Sequence, residues 1–362
     1  IKENFSIKFE ELIDFANYSG DWNPIHHDSE ISRRYNTEKP ISHGILSLIK
    51  VLDEYVKIRK TKIFAIKCKF VKPVYPEKKY KLFYEDISFN KVNLFLFDNE
   101  TLLLSCNINC DDQFEFLNLQ KEYNFPIKKD PLSTNFDKIK GQVGSTEILV
   151  DLSKIKTSFK ELLKAISTES LISLISTSRL VGMICPGLNS LYSSLSVMCN
   201  KQDTNNKLNW EVKSADRKIL PINLSFKSTG LEGQINVFYR EAPIKQISIN
   251  KLKDTIKIKN YPLSKVLIIG GNRGLGEITA KLLSFRNTDI TITFNKGRKD
   301  ALSVANEINN AGGRAKILHL DILKKNSINE FFKKYKDFNQ LYFYASPRIK
   351  ESSENGFDFS LY

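Results

Sequence analysis

The chain has 362 residues, which is long enough for two or three domains and too long for one compact core of ordinary size. Hydrophobic residues at 41% and charged residues at 27% exclude a disordered chain, and no apolar run approaches a bilayer span. The net charge of +14 is spread among acids and polar residues along the whole chain. It therefore reads as a solvated, Lys-rich surface able to attract an anionic partner, not as a nucleic-acid footprint.

Five cysteines (Cys68, Cys106, Cys110, Cys185, Cys199) are scattered without metal spacing, so reduced thiols in a cytoplasmic protein are expected. No charged-then-apolar leader opens the chain, and it begins with Ile, not Met, as if residues precede it.

In chain order, KFEELIDFAN (8–17) places Phe9, Leu12, Ile13 and Ala16 at helical spacing, and Ser19-Gly20 ends that helix. The loop YSGDWNPIHHD (18–28) follows and holds two of the four histidines. After Gly44, ILSLIKVLDEYVKI is apolar on most sides and reads as a helix buried by a sheet. From residue 62 the runs KIFAIKCKFVKPV, KYKLFYEDIS, VNLFLFD and TLLLSCNIN read as antiparallel strands. A polar linker is expected at 113–145. A weaker copy of the same order follows over 146–250: ELLKAIS is helical, SRLVGMICPGLNSLYSSLSVM resembles the ISHGILSLIKVL segment, strands follow at LNWEVKSA, INLSFKSTG and GQINVFYRE, and Cys185-Pro186-Gly187 falls where Ser42-His43-Gly44 falls in the first copy. That copy has no counterpart of the Asp and His pair. A connector (251–262) then leads to alternating strands and helices over 263–362, the signature of a doubly wound parallel sheet.

Two constellations carry chemistry. A histidine that titrates near neutrality beside a carboxylate exchanges protons with a held water, which singles out Asp21 and His26. Gly44 opens a helix whose unpaired N–H groups would stabilise a developing oxyanion. The bland reading makes Asp21 and Asp28 helix caps and the histidines polar loop residues. The second constellation is Gly270-Gly271-Asn272-Arg273-Gly274-Leu275-Gly276, a turn between an apolar strand and a helix, where a pyrophosphate could approach a helix N-terminus.

The pieces S-G-D-W-N-P-I-H-H-D (19–28), I-S-H-G-I-L (41–46) and F-V-K-P-V-Y-P (70–76) resemble the MaoC-like (R)-specific enoyl-CoA hydratase/dehydratase family of hotdog folds. The resemblance covers roughly residues 5–110. It implies that Asp21 and His26 are the catalytic pair and that Gly44 N–H polarises a thioester carbonyl. Asn23 would support the loop and His43 would line the entrance, while His27 keeps a structural reading. A double hotdog is implied, with residues 1–112 carrying the site and the second copy shaping an acyl tunnel. No metal is implied.

The G-x-x-x-G-x-G spacing of Gly270, Gly274 and Gly276 resembles short-chain dehydrogenases/reductases of the Rossmann type. Arg273, with Asn295 and Lys296 after the second strand in place of an acid, favours NADP(H) over NAD. Asp321 matches the position near the adenine, and Asn272 and Leu275 complete the turn. Tyr344-Ala345-Ser346-Pro347 stands where the family has Asn-Asn-Ala-Gly, and no Tyr-x-x-x-Lys follows residue 340. The reductase half is thus expected to be cut short or non-catalytic.

The combined expectation is an α+β double hotdog followed by an α/β Rossmann domain. It would join a hydratase/dehydratase to a 3-oxoacyl reductase on an acyl-CoA or acyl carrier protein thioester, with no nucleic acid and no membrane as partner. Its competitors are a hydratase with a non-catalytic appendage and a non-catalytic acyl-binding scaffold. Sheet pairing would be satisfied within one chain or would make a homodimer.

Overall fold

In the computed structural model the segment after Gly44 forms a helix buried on nearly every side, and a curved antiparallel sheet wraps it. The structure describes residues 2–35, 37, 39–119, 121–217, 221–240, 246–256 and 262–346. The chain divides into two compact units, Ile1–Ala242 and Pro243–Tyr362.

The first unit opens with β1 (Lys2–Ser6) and α1 (Phe9–Ser19), which ends in a left-handed Gly20, and a short α2 (Ser29–Arg34) follows the motif loop. The buried face of α1 is Leu12, Phe15 and Ala16, whereas Phe9 points outward. Next come α3 (Gly44–Ile58), β2 (Ile63–Phe70), β3 (Lys79–Ser88), β4 (Lys91–Asp98) and β5 (Thr101–Cys110). Then β6 (Val143–Glu147), α4 (Leu152–Ser158), α5 (Leu162–Ala165) and α6 (Thr168–Arg179) precede β7 (Ser190–Cys199), β8 (Lys207–Ser214), β9 (Ile222–Ser228) and β10 (Leu231–Tyr239).

All ten strands form one sheet in the order β1-β3-β4-β5-β2-β7-β10-β9-β8-β6. The order reads the same from either end once β1 is matched to β6 and β2 to β7. The unit is thus two copies of one hotdog-like arrangement, joined where β2 and β7 run antiparallel from Ala65↔Met198 to Lys69↔Ser194. A single core runs through both copies, from Leu48 and Leu52 on α3 to Leu171 and Ile175 on α6.

The internal repeat thus lies differently from the sequence reading. The central helix of the second copy is α6, TESLISLISTSR, continued by a π turn over Leu180–Ile184. ELLKAIS is helical as expected, holding the short α5, but SRLVGMICPGLNSLYSSLSVM, expected to match the segment of α3, carries only the end of the central helix and then runs into strand β7. Cys185-Pro186-Gly187 follows its central helix, whereas Ser42-His43-Gly44 precedes α3, so the two tripeptides are not equivalent. The misreading has a physical cause, because α6 is rich in serine, and its apolar residues Leu171, Ile172, Leu174 and Ile175 are interleaved with buried hydroxyls. Its buried hydroxyls are satisfied one by one: Ser170 Oγ donates to the Gly230 carbonyl at 2.7 Å and Ser173 Oγ to the Thr229 carbonyl at 2.7 Å. Two strands also went unread: β1, and β6, which starts inside the segment expected as linker.

In the second unit α7 (Ile249–Lys253) leads to β11 (Ser264–Ile269), α8 (Gly274–Leu283), β12 (Thr288–Phe294), α9 (Arg298–Asn310), β13 (Arg314–His319), α10 (Lys325–Lys334) and β14 (Gln340–Phe343). The strands are parallel in the order β13-β12-β11-β14. Val266 and Ile268 of β11 pack with Ala280 of α8 and Val304 of α9, while Leu267 and Ile269 pack with Phe331 of α10. Helices therefore cover both faces, as in a Rossmann-like fragment. Residues from Pro347 onward lie outside the described ones. Among the described residues no helix is long and apolar enough to cross a membrane.

Because α3 is the axis of the core, truncating it is expected to be costly. Leu48→Ala at a fully buried site should destabilise the first unit by about 2–5 kcal/mol, read as a lower urea midpoint with an unchanged slope.

Candidate active site

Asp21 follows the left-handed Gly20 that stops α1, which points its side chain inward, not along the helix. Asn23 then caps a single 3₁₀ turn, Pro24–His26, by accepting the Ile25 N–H on its side-chain oxygen at 3.3 Å. Its amide reaches the second copy, donating to the Gly182 carbonyl at 2.9 Å and the Leu188 carbonyl at 3.3 Å. One side chain thus sets the turn and anchors it.

The turn brings Asp21, His26 and His43 together, with one ligand-type atom from each lying within 4.8 Å of the others, all buried. His26 lies on the carbonyl of Ile41 through Nδ1 at 2.8 Å, and since a carbonyl only accepts, Nδ1 carries the proton and Nε2 is left as a base. His43 donates from Nε2 to the Asp21 carbonyl at 3.1 Å, and its Nδ1 has no hydrogen-bond partner among the described residues. The two imidazoles stack, with centroids 3.7 Å apart and planes 27° from parallel. His43, expected at an entrance, is 1% exposed and serves as the spacer between the motif loop and α3.

Gly44 follows His43 directly and is the first residue of α3, so its N–H has no acceptor within the helix. A side chain there would crowd the Cβ of Tyr192 at 3.2 Å and the ring of Phe70 at 3.3 Å.

The second copy supplies what sequence reasoning missed. Ser178, on the last turn of α6, donates to Asp21 Oδ2 at 2.6 Å. One turn further on, a Cβ at Gly182 would lie 2.3 Å from Asp21 Oδ1, so glycine is required for the carboxyl to fit. The hydroxyl of Tyr192 on β7 donates to Thr177 beside them at 2.8 Å. No local motif marks Ser178 or Gly182; the sole signal is that the second copy lacks its own pair and has small residues where its helix meets the first.

Burial governs the charges. It lifts the Asp21 carboxyl to about 7, against the Ser178 hydroxyl, the Asn23 N–H and the positive charge of Arg179, which all act the other way. Burial pushes the His26 imidazole down to about 4, against its bond to Ile41, and lowers His43 as well. At neutral pH both rings are uncharged and Asp21 keeps a proton about half the time. The same three residues form a candidate metal-binding group.

In the second unit the predicted cofactor residues gather at the C-terminal ends of adjacent strands. Gly270 to Gly276 follow β11, Asn295 and Lys296 follow β12, and Asp321 lies just beyond β13. A Cβ at Gly276 would come within 2.3 Å of the Gly270 carbonyl, so only glycine lets α8 start this close to β11. Nothing lies within 4 Å of the corresponding position at Gly274, leaving room for a phosphate at the helix start. Leu275 and Arg273 are exposed beside it. The Asn272 amide packs against Gly297 and joins the turn to the loop after β12. Asp321 Oδ1 accepts the Leu323 N–H at 3.1 Å, which fixes its carboxylate.

Comparison with known proteins agrees with both units in part. Residues 3–89 match the family described as MaoC like domain. The chain is 42% identical over 62 residues to the peroxisomal multifunctional enzyme type 2 of Mus musculus, a match covering 16% of this chain and 8% of that protein. It is 35% identical over 66 residues to the uncharacterized oxidoreductase YgfF of Escherichia coli, covering 18% and 27%. Both matches therefore span well under a third of the relatives' length. Among solved structures, a MaoC-like dehydratase superposes with a TM-score of 0.43 at 9% identity, over 66% of this chain and 97% of the other. FolM alternative dihydrofolate reductase 1 from Brucella canis, solved with NADP, superposes with a TM-score of 0.23 at 24% identity, over 27% and 40%.

Because the folded pKa of Asp21 lies above its unfolded value, its stabilising contribution is complete below about pH 4 and is lost as pH rises through about 7. Asp21→Asn, which never ionises, is therefore expected to exceed the wild type in stability by a few kcal/mol at pH 8, at about 1.4 kcal/mol per pH unit of separation. The gap should close toward pH 4, as read from melting temperatures across pH.

Residues 3–89 are thus similar to the MaoC like domain, and the chain has besides a short, partial similarity to an oxidoreductase.

Proposed function

We propose that the first unit is a hydratase/dehydratase that interconverts trans-2-enoyl and (R)-3-hydroxyacyl thioesters carried on coenzyme A or on a carrier protein. The observation that carries this reading is geometric: Asp21, His26 and His43 are buried together, His26 bonds Ile41 through Nδ1 and so leaves Nε2 as a base, and His43 leads directly to the Gly44 N–H at the start of α3. Binding alone has no use for a base and an acid held at one point.

In hydration the water oxygen bonds to C3 while His26 Nε2 takes one of its protons. The electrons of the C2=C3 bond move toward the thioester carbonyl, whose oxygen charge the Gly44 N–H receives. Asp21 then delivers its proton to C2, and the proton on His26 returns to Asp21 through solvent before the next turnover. Dehydration is the same sequence reversed. The second copy acts as a positioning element through Ser178 and Gly182, within a double hotdog that has one site.

For the second unit the proposal is an NADP(H)-dependent 3-oxoacyl thioester reductase acting in sequence with the first. Gly270, Gly274 and Gly276 would hold the pyrophosphate, with Asn272 and Leu275 shaping the turn, and Arg273 with Lys296 and Asn295 would face the 2′-phosphate. Asp321 would lie by the adenine. The bound cofactor would supply a hydride. The Tyr344-Ala345-Ser346 ending of the β14 strand favours a second reading, in which this unit binds the dinucleotide without reducing anything.

The purified chain is expected to hydrate a short trans-2-enoyl-CoA, followed by loss of absorbance at the enoyl thioester band. Asp21→Asn and His26→Ala should each lower kcat by about 100-fold or more. Hydration kcat/KM should fall above about pH 7 as Asp21 loses its proton, and below about pH 4 as His26 gains one. Ser178→Ala, which removes a bond to the carboxylate, should move the upper limb to higher pH. Folded variants that retain full activity would sink the assignment.

NADPH is expected to gain fluorescence on binding, and Gly276→Val should abolish that signal because its side chain collides with the Gly270 carbonyl. Turnover of a 3-oxoacyl thioester with NADPH decides between the two readings of this unit.

A further inference from the structure

The second unit has a cavity of about 650 Å³ at the end of its sheet opposite the glycine-rich turn. Its lining includes Lys265 near the start of β11, Asp289 near the start of β12 and Arg314 at the start of β13, whereas the turn follows the last residue of β11. Six residues of parallel strand separate the two places, about 20 Å. They cannot be one site.

The register says which face the cavity opens on. Leu267 pairs with Thr291, and Thr291 with Lys316, so these three lie in one row across the sheet. Leu267 is covered by Phe331 of α10. Thr291 and Lys316 line the cavity beside the C-terminal end of that helix, where Lys334, Tyr335, Lys336 and Phe338 form the wall. The floor is polar, the rim is cationic, and Tyr335 and Phe338 add an apolar side.

Charge balance gives the chemistry. Both carboxylates of the lining are already paired: Asp337 with Lys265, and Asp289 with Arg314. Lys316, Lys334 and Lys336 have no carboxylate partner among the described residues, and Lys334 rests 5.4 Å from the Tyr335 ring centre. With both carboxylates paired, these three exposed lysines leave the lining with a surplus of three positive charges, a field that favours an anion. The absence of a free arginine fork removes the bidentate match to a single carboxylate, while lysines serve phosphates as point charges. The volume lies in the range of small-molecule sites.

We propose that this cavity is a second anion site of the unit, for a small molecule carrying at least two phosphate groups, separate from the dinucleotide turn. Inorganic pyrophosphate and ADP, titrated calorimetrically into the full chain at low salt, test it. Both are expected to bind saturably, with affinity falling as salt rises. Lys316→Ala/Lys334→Ala/Lys336→Ala should weaken pyrophosphate at least tenfold. Gly276→Val should remove any contribution of the turn to pyrophosphate and ADP binding and leave the binding that depends on Lys316, Lys334 and Lys336 unchanged. A control lacking Lys140, Lys154 and Lys156 removes the same charge elsewhere in the chain. The proposal is overturned if no saturable binding is seen, if the control weakens binding as much, or if Gly276→Val alone eliminates it.

Discussion

Burying the Asp21 carboxyl between two halves of one sheet is costly, and much of the surrounding structure answers to that cost. A carboxylate held by two or three backbone N–H groups stays ionised far below neutrality. Asp21 instead has one short bond, from Ser178, and a longer one from the Asn23 N–H at 3.3 Å. Burial therefore wins, and the group keeps its proton close to neutrality. Gly182 has no side chain because the carboxyl fills that place, and Asn23 holds the loop to the carbonyls on either side of it. Without the second copy the carboxyl would face water and titrate as an ordinary aspartate.

This explains how a copy without a catalytic pair can still matter to the site. The ten-stranded sheet and the shared core make the two halves one folding unit, so α6 lies across the motif loop wherever that loop goes. Serine and glycine at Ser178 and Gly182 are then functional choices on a helix whose other serines cap backbone carbonyls. The same helix combines two demands: satisfied hydroxyls for packing against β9 and β10, and a free donor for Asp21.

The sequence was most legible where the physics is local. The apolar run after Gly44, the alternation of β2 to β5 and the glycine turn after β11 each follow from periodicity or from backbone constraint. Asp21, His26 and Asn23 were found because a turn-forming Asn-Pro places them within six positions. Legibility failed where the cause is distant. Nothing near residue 178 says that its hydroxyl meets a carboxyl 157 positions away. A serine-rich buried helix hides from hydrophobic periodicity, which displaced the repeat by about one helix and misaligned Cys185-Pro186-Gly187 with Ser42-His43-Gly44. The family resemblance implied an entrance position for His43, yet its Nε2 proton is used by the Asp21 carbonyl and its ring by His26.

The stacked histidines also constrain where charge can reside. Protonating His26 would place a cation 3.7 Å from a neutral ring that is itself buried and already donating its one N–H. Ionising Asp21 would instead leave an anion with one strong donor. A site holding one proton on the carboxyl and none on His26 Nε2 has no net charge, which is the cheapest state for groups excluded from water. In the proposed hydration each half of the reaction would move one proton onto or off this pair, beside the α3 N-terminus. With Asp21 protonated the pair carries no net charge, and when the carboxyl ionises the positive charge of Arg179 and the Ser178 hydroxyl offset part of the cost.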